Sequence, residues 1–416
     1  MGEPTTLSVR DRRVMLAAAV FGWLCAGVEM GLGPLISRPA ARDLIYGPGL
    51  VLDPASEAIV GKWFAWFMAA FLVGGAVGGA IFGRLGDRAG RVRAMGWSIV
   101  CFSVFTGAGW FASSPEQMLI LRFFASLGIG GMWPAGVALV SETWTGASRP
   151  MVAGAMGLAA NVGILVMALI GQRLKITPES WRWAMLVGTA PVVLGIAVLA
   201  AVPESPRWLA GVGVGGSSAP LLEVLRPPLL KRTFVGTLLG AVPLLGAWAS
   251  QKWIIPWADA AGENAAGVQA IWAAGAVIGG ALGGYVGDKL GRRRAYFVVS
   301  LASFGLNLAV YRFMSPTDTV FRPTVFALGL VATLFFGWLP LYLPELFPTR
   351  VRATGSGVTF NAGRIASAVG VLAAGQLLLW FEGNYARVGA TAAWVYALGM
   401  VVVPFAPDTR GGELRN

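Results

Sequence analysis

Two ionisable residues stand inside long apolar stretches: Glu29 in "LCAGVEMGLGP" and Arg122 in "LRFFASLGIGG". Ionisable groups at bilayer depth are costly, and where they occur they generally serve a function. A carboxyl group that alternates between a charged, arginine-paired state and a neutral, desolvated state can carry a proton. We therefore expect Glu29 to be a proton-coupling site with Arg122 as its partner. The alternative is a static ion pair that joins two helices.

Two further cations lie in apolar stretches, Arg364 in "FNAGRIASA" and Lys252 in "WASQKWIIPW". With Arg122 they make three cations against one acid, so a cavity lined by them would be electropositive and would favour an anion. Arg364 is the expected carboxylate contact, with a packing role as the alternative. Lys252 is a second candidate, unless its side chain extends to the outer surface of the membrane.

Polar and aromatic side chains in the same stretches are candidates for the wall of a substrate cavity. For each aromatic residue, packing in the core or at the membrane interface is the more common role. The candidates are Trp133, Asn161, Gln172, Gln251, Trp253, Trp272, Trp338, Tyr342 and Asn361.

The composition places these residues in a membrane protein. Of the 416 residues, 56% are hydrophobic and only 12% are charged, whereas soluble chains carry about 25% charged residues. The 17 tryptophans and 58 glycines suit membrane helices, where Trp anchors interfaces and Gly allows close packing. The chain has no histidine, and Cys25 and Cys101 both fall in apolar segments. We expect unpaired thiols and no metal site.

Twelve apolar segments are long enough to cross about 30 Å of hydrocarbon. Lysine and arginine concentrate at the N-terminus and in every second connection, which predicts a cell (inner) membrane protein with both termini in the cytoplasm. The net charge of +12 then reflects topology, and no nucleic-acid partner is expected. The predicted spans are 14–36, 61–82, 94–112, 117–140, 151–171, 182–202, 233–256, 266–286, 295–314, 322–343, 353–380 and 384–405.

The sequence contains an internal repeat. "GRLGDRAGRVR" in the first half has a counterpart in "GGYVGDKLGRRR" in the second, and Asp87 and Asp288 stand 201 positions apart. Two parallel halves of six spans each are a common transporter architecture. The predicted divisions are an N-terminal bundle over 1–209, a cytoplasmic linker over 210–232 and a C-terminal bundle over 233–416.

These repeated segments resemble the loop motif G-x-x-x-D-[RK]-x-G-R-x-[RK] of the major facilitator superfamily. "PESPRW", "FPTRVRATG" and "PDTRGGEL" resemble its sugar-porter and organic-ion branch, which includes aromatic-acid:H⁺ symporters. The resemblance implies an all-α membrane protein with twelve transmembrane helices in two pseudo-symmetric six-helix bundles. It also implies an acid in helix 1 and an arginine in helix 4 for proton coupling, here Glu29 and Arg122. Glu stands in place of the commoner Asp, and Ser126 replaces a glycine of the helix 4 pattern.

Carboxylates at helix ends that face arginines can form charge-assisted hydrogen bonds in one closed arrangement. We expect the two copies of the motif to form a cytoplasmic gate that latches the halves together when that side is shut. The alternative is a basic loop with no gating role. The gate residues are Asp87, Arg88, Arg91, Glu142 and Arg149 in the first half and Asp288, Lys289, Arg292, Glu345 and Arg352 in the second.

The expected function is secondary active transport: H⁺-coupled symport of a small organic anion such as a carboxylate, by alternating access at a site near the midplane between the halves. We expect a monomer in the lipid bilayer, no enzymatic activity, and no cofactor besides the proton gradient. The alternatives are an H⁺-coupled sugar or polyol symporter, a drug-efflux antiporter and a non-transporting nutrient receptor. The sequence has no G-x-x-x-x-G-K-[ST] loop for ATP. The glycine pairs in "GGAVGGA" and "GGALGGY" predict close helix packing instead of a nucleotide loop.

Overall fold

The computed structural model describes residues 8–144, 149–211, 221–348 and 351–407. Every regular element in these ranges is a helix, as the sequence predicts. The first half contains α1 Val9–Tyr46, α2 Pro54–Ala89, α3 Arg91–Ala108, α4 Pro115–Thr143, α5 Arg149–Arg173, α6 Trp183–Thr189, α7 Val192–Ala201 and α8 Pro206–Gly211. The rest contains α9 Leu221–Val224, α10 Leu230–Leu245, α11 Ile254–Ala260, α12 Ala265–Leu290, α13 Arg292–Phe313, α14 Phe321–Glu345, α15 Arg352–Trp380, α16 Tyr385–Ala392 and α17 Val395–Val402.

The helices account for the predicted spans. Within the described ranges, eleven helical stretches are long and apolar enough to cross a membrane, and Gly157–Arg173 in α5 is a shorter apolar stretch. Several helices exceed the prediction; α1, for example, begins at Val9 and ends at Tyr46, beyond the predicted 14–36. The apolar length predicts only the part that crosses lipid, whereas a helix can continue beyond it, and residues 37–41 of α1 are buried inside the protein.

Three spans are divided where the hydropathy pattern reads as continuous: α6 from α7, α10 from α11, and α16 from α17. Pro191 separates α6 from α7, because a proline ring cannot continue the helical hydrogen bonding. Between α10 and α11 lie a π-helical turn, Gly246–Ser250, and a 3₁₀ turn, Gln251–Trp253. Such turns change the direction of side chains within a span, and they are frequent at functional sites.

The chain forms two compact units, and the start of α2 belongs to the second of them. The Phe64 ring lies 5.0 Å from the ring of Trp253, and the Tyr385 hydroxyl donates to Glu57 at 2.6 Å. The repeat in the sequence does not predict this grouping, which depends on side-chain contacts. The units are Met1–Val51 with Trp66–Gly216, and Leu52–Ala65 with Ser217–Asn416.

Glycines bring helices into close contact within each unit, and this confirms the packing role predicted for the glycine pairs. In the first unit, a Cβ atom at Gly78 of α2 would overlap the backbone of Leu127 in α4. In the second, a Cβ atom at Gly279 of α12 would overlap the backbone of Leu330 in α14. Because lipid tails are as apolar as leucine, such close van der Waals packing is a main source of helix association in membranes.

The first prediction concerns this packing. Gly279→Ala should lower the melting temperature of the purified protein in detergent, because overpacking a tight contact costs roughly 1–3 kcal/mol. Gly305→Ala in α13 is the matched control, since apart from the adjacent backbone of α13 itself no described atom lies within 4 Å of the position a Cβ would take there. Equal melting temperatures for the two variants, measured by differential scanning fluorimetry, would contradict the assignment of Gly279 to a helix contact.

Candidate functional site

The first candidate site is a buried ion pair inside the first unit. Glu29 of α1 is fully buried and Arg122 of α4 is 3% exposed. The distance from Arg122 Nη1 to Glu29 Oε2 is 3.5 Å, and the Thr106 hydroxyl of α3 donates to the same oxygen at 2.9 Å. Glu29 Oε1 and the three guanidinium nitrogens have no hydrogen-bond partner among the described residues. The structure thus brings together the two residues that the sequence pairs, and it adds Thr106.

Two glycines make room for this pair. A Cβ atom at Gly188 of α6 would overlap Glu29 Oε1 and the methyl group of Thr106. One at Gly33 of α1 would lie 2.9 Å from Arg122 Nη2. Thr106 and Gly188 could not be identified from sequence, because threonine and glycine are ordinary residues in membrane helices and only the packing places these two beside a carboxyl group.

The two side chains form a loose ion pair that is shielded from bulk solvent. A well-formed N⁺–H···O⁻ bond measures about 2.7–2.9 Å, so 3.5 Å leaves Arg122 attracted to Glu29 by charge without a strong hydrogen bond. Arg122 and Thr106 favour the carboxylate, whereas desolvation favours the neutral acid. Opposing influences on one buried acid occur both at functional sites and in structural ion pairs.

The second candidate site is the Asp87 cluster, formed by Asp87, Arg91 and Glu142. Arg91 Nη1 lies 2.5 Å from Asp87 Oδ1, and Arg91 Nε lies 3.1 Å from Glu142 Oε1. Asp87 remains 69% exposed while Arg91 is 20% exposed. The Arg91 guanidinium therefore links two acids, and the Asp87 carboxylate keeps much of its surface open to further partners.

The Asp288 cluster repeats this arrangement in the second unit. Arg292 Nη1 lies 2.8 Å from Asp288 Oδ1, and Arg292 Nη2 lies 3.4 Å from Glu345 Oε1. Asp288 is 75% exposed and Arg292 is 14% exposed. Two sequence copies 201 residues apart thus form the same ion-pair geometry.

Each copy of the motif has a glycine where the backbone between two helices requires a positive φ angle. Gly90 separates α2 from α3 with φ +115°, and Gly291 separates α12 from α13 with φ +81°. A one-residue connection between two helices requires a backbone conformation that side chains disfavour, so glycine fits both positions.

The segment "PESPRW" forms hydrogen bonds with the Asp87 cluster and with the start of α3. Both carboxylate oxygens of Glu204 accept from the Val92 N–H at 3.1 Å, which caps the N-terminus of α3. Ser205 donates to Glu142 at 2.5 Å, and the Trp208 indole N–H donates to the Asp87 carbonyl at 2.9 Å. The motif itself was evident in the sequence, but these partners stand more than 60 residues away and only the fold reveals them.

Other predicted gate residues lie at the margins of the clusters. Arg88 is exposed, and the Lys289 ammonium lies 5.7 Å from the centre of the Tyr285 ring. Arg352 Nε donates to the Phe347 carbonyl at 3.4 Å. The side chain of Arg149 and the residues of "PDTRGGEL" after Pro407 lie outside the described part of the chain.

A cavity of about 260 Å³ opens beside the Asp87 cluster. Pockets for drug-sized ligands measure about 300–1,000 Å³, so this cavity is small for a substrate site. Its lining combines the apolar side chains of α2 and α4 with the two charged groups of the cluster. It is lined by Phe82, Gly83, Gly86, Asp87, Arg91, Pro134, Ala135 and Ala138.

Lys252 of the second unit is buried, at 4% exposure, in the 3₁₀ turn that interrupts the α10–α11 span. Its Nζ lies 3.9 Å from the ring centre of Trp272. Gln251 accepts from the Trp272 indole N–H at 2.8 Å and donates to the Tyr396 hydroxyl at 2.6 Å. Three of the predicted cavity residues, Gln251, Lys252 and Trp272, thus form one group.

The other cation, Arg364 in α15, is partly exposed and lies 5.1 Å from the centre of the Phe360 ring. Asn361 donates to the Gly357 carbonyl of its own helix at 3.0 Å. The remaining candidates divide by exposure. Trp133, 5.0 Å from the Trp23 ring, and Asn161 are partly buried, Gln172 is exposed, and Trp253 is fully buried.

Trp338 and Tyr342, the last two candidates, pack inside the second unit. Both are fully buried in the apolar core of the second unit, where the Trp338 ring lies 6.0 Å from Tyr296. The Tyr342 hydroxyl donates to the Pro407 carbonyl at 2.8 Å. The sequence shows that α14 carries aromatic residues but does not show which face of the helix packs inside the unit.

An all-helical membrane protein with two repeated units, buried intramembrane charges and paired ion clusters at helix ends belongs to the class of secondary transporters. The sequence profile of the Major Facilitator Superfamily matches residues 18–371, and the chain belongs to that family. It is a transport protein and not an enzyme.

Proteins named as transporters are similar to this chain along most of its length. The gentisate transporter of Corynebacterium glutamicum is 27% identical over 96% of this chain and 89% of its own length. The cis,cis-muconate transport protein of Acinetobacter baylyi is 28% identical over 68% of this chain and 70% of its own length. The inward-open structure of the xylose transporter XylE from E. coli has a TM-score of 0.72 and 17% sequence identity, covering 97% of this chain and 98% of XylE. This last similarity establishes the fold.

The second prediction concerns the cap on α3. Glu204→Ala should lower the melting temperature, because losing an N-terminal cap costs about 0.5–2 kcal/mol. Glu116→Ala is the control: Glu116 also lies at the start of a helix, but there Ser114 provides the cap. If thermal denaturation shows the same small change for both variants, the Glu204 carboxylate does not stabilise α3 in the manner described.

Proposed function

We propose that this protein is an H⁺-coupled symporter that takes up a small organic anion by alternating access. Glu29 carries the proton, and Arg122 and Thr106 stabilise its charged form. The Asp87 and Asp288 clusters strengthen the closed state of the side on which they lie. That side is the cytoplasmic face of the cell membrane, with both chain termini on it, because the basic connections lie there.

The observation that carries the proposal is the Glu29–Arg122 pair. A carboxyl group with no exposed surface, held 3.5 Å from a guanidinium, is costly to keep in an apolar interior. Replacing such a pair with apolar residues is often neutral or stabilising, so a structural role alone is a weak reason for it. A proton carrier requires this environment, since a small rearrangement of Arg122 changes which protonation state is favoured.

The assignment of an organic anion draws on the related proteins. The relatives named for gentisate and cis,cis-muconate carry organic acids, and the present chain is similar to them over most of its length. A cation buried in the second unit, Lys252, agrees with an anionic substrate. The similarity to the xylose transporter concerns the fold only, at 17% identity.

The experiment is transport in proteoliposomes with an imposed proton gradient. Wild-type protein should accumulate labelled gentisate or cis,cis-muconate when the lumen is alkaline, and a protonophore should abolish the accumulation. Glu29→Gln keeps the shape of the side chain but removes its titration. It should abolish gradient-driven accumulation while retaining counterflow exchange, because exchange of loaded carriers does not require release of the proton.

Glu116→Gln on the exposed start of α4 is the control variant and should transport like the wild type. Equal loss of accumulation and exchange in Glu29→Gln would identify a static structural pair. Accumulation of xylose in place of the acids would favour a sugar symporter. Accumulation that follows a sodium gradient and ignores the proton gradient would contradict proton coupling.

A further inference from the structure

Lys252 is a buried cation for which the described protein provides no counter-charge. Its Nζ atom has no hydrogen-bond partner among the described residues, and none of the ion pairs found there includes it. A lysine this deep in a membrane-spanning stretch is normally paired with an acid or a carbonyl group, or else it marks a substrate or ion pathway. Its ammonium instead faces two indole rings, Trp272 at 3.9 Å and Trp248 at 6.0 Å.

The surroundings hold the lysine in a fixed place. Gln251 bonds to the Trp272 indole N–H at 2.8 Å and to the Tyr396 hydroxyl at 2.6 Å, so it connects α12 and α17 to the turn that carries Lys252. The Tyr311 hydroxyl donates to the Ser250 carbonyl at 2.6 Å. A site whose side chains are held by packed helices and hydrogen bonds needs little ordering when a ligand binds.

The chemistry of the site selects the ligand group. An ammonium that lies on an indole face still has N–H groups available to donate to a ligand oxygen. The ring attracts the cation without accepting strong hydrogen bonds. Lysine binds as a compact point charge, so a single carboxylate oxygen satisfies it without the planar, two-point geometry that arginine favours. The flat apolar surfaces of Trp272 and Trp248 suit an unsaturated or aromatic carbon skeleton next to that carboxylate.

We infer that the Lys252 ammonium, seated on the Trp272 indole and positioned by Gln251, binds the carboxylate of the transported acid. The substrate then provides the counter-charge that none of the described residues supplies at this position. Gln251 is a positioning residue, because it acts through Trp272. The inference rests on the proposed function in one respect, that the substrate is an organic anion; it does not depend on proton coupling.

The test is ligand binding by the purified full-length protein, which requires no transport. The probes are gentisate, cis,cis-muconate and benzoate, together with benzamide as the uncharged analogue of benzoate. Binding is measured by isothermal titration calorimetry and by the rise in melting temperature that a ligand of the folded state produces. The variants are Lys252→Met, which keeps an unbranched side chain one atom shorter and removes the charge, and Lys252→Arg, which keeps the charge.

At least one carboxylate should bind the wild type, and benzamide should bind much more weakly than benzoate. Lys252→Met should lose about tenfold or more in carboxylate affinity, the usual effect of removing a charged hydrogen-bond donor. Without ligand it should melt no lower than the wild type, since the substitution removes an uncompensated buried charge. Lys252→Arg should retain most of the affinity, and Lys175→Met, on an exposed loop position, should retain all of it.

Three results would overturn the inference: no binding of any of the carboxylates to the wild type, unchanged carboxylate affinity in Lys252→Met, or a large drop in the melting temperature of ligand-free Lys252→Met. If Lys252→Met cannot be purified folded, Lys252→Gln replaces it under the same criteria. Proton-driven accumulation that survives in Lys252→Met with unchanged affinity would leave the proposed function intact and reject this site. Lys252-dependent binding without proton-driven accumulation would support this site and contradict the proposed proton-coupled transport.

Discussion

The cost of placing charge in an apolar interior governs the chemistry of this protein. A charged group removed from water must be paired, bonded or neutralised, and the low dielectric of the interior makes every remaining interaction strong. The two units surround their buried charged groups with different partners. In the first, Glu29 faces Arg122 and Thr106. In the second, the Lys252 ammonium lies on the Trp272 ring, and none of the described residues forms a hydrogen bond with it.

Close helix packing makes these arrangements possible. Gly188 leaves space for the Glu29 carboxyl group, and Gly279 lets α12 approach the backbone of α14. Rigid contacts of this kind fix side chains to within a few tenths of an ångström, which an ion pair or a cation–π contact requires. The interruption between α10 and α11 has a similar effect, because the π and 3₁₀ turns set the direction in which Gln251 and Lys252 point.

The ion pairs at the helix ends differ from the buried charges because solvent reaches their aspartates. Asp87 and Asp288 are mostly exposed, and exposed ion pairs contribute little to stability on their own. Their value lies in geometry: each arginine joins two acids from different helices, and the same pattern occurs in both units. Duplication of one structural unit explains why the glycine, the aspartate and the arginine recur together, since each depends on the same short connection between two helices.

The sequence by itself determined the helical membrane class, the two-fold repeat, the family, and the pairing of Glu29 with Arg122. It could do so because hydropathy, motif spacing and charge at bilayer depth are properties of single segments. Only the tertiary structure decided which side chains meet across helices. It added Thr106 to the Glu29 site and Glu204 to the Asp87 cluster, and it showed that Trp338 packs in the core of the second unit. It also set Lys252 on Trp272. Neighbours on different helices depend on the rotation and break points of each helix, which no local pattern encodes.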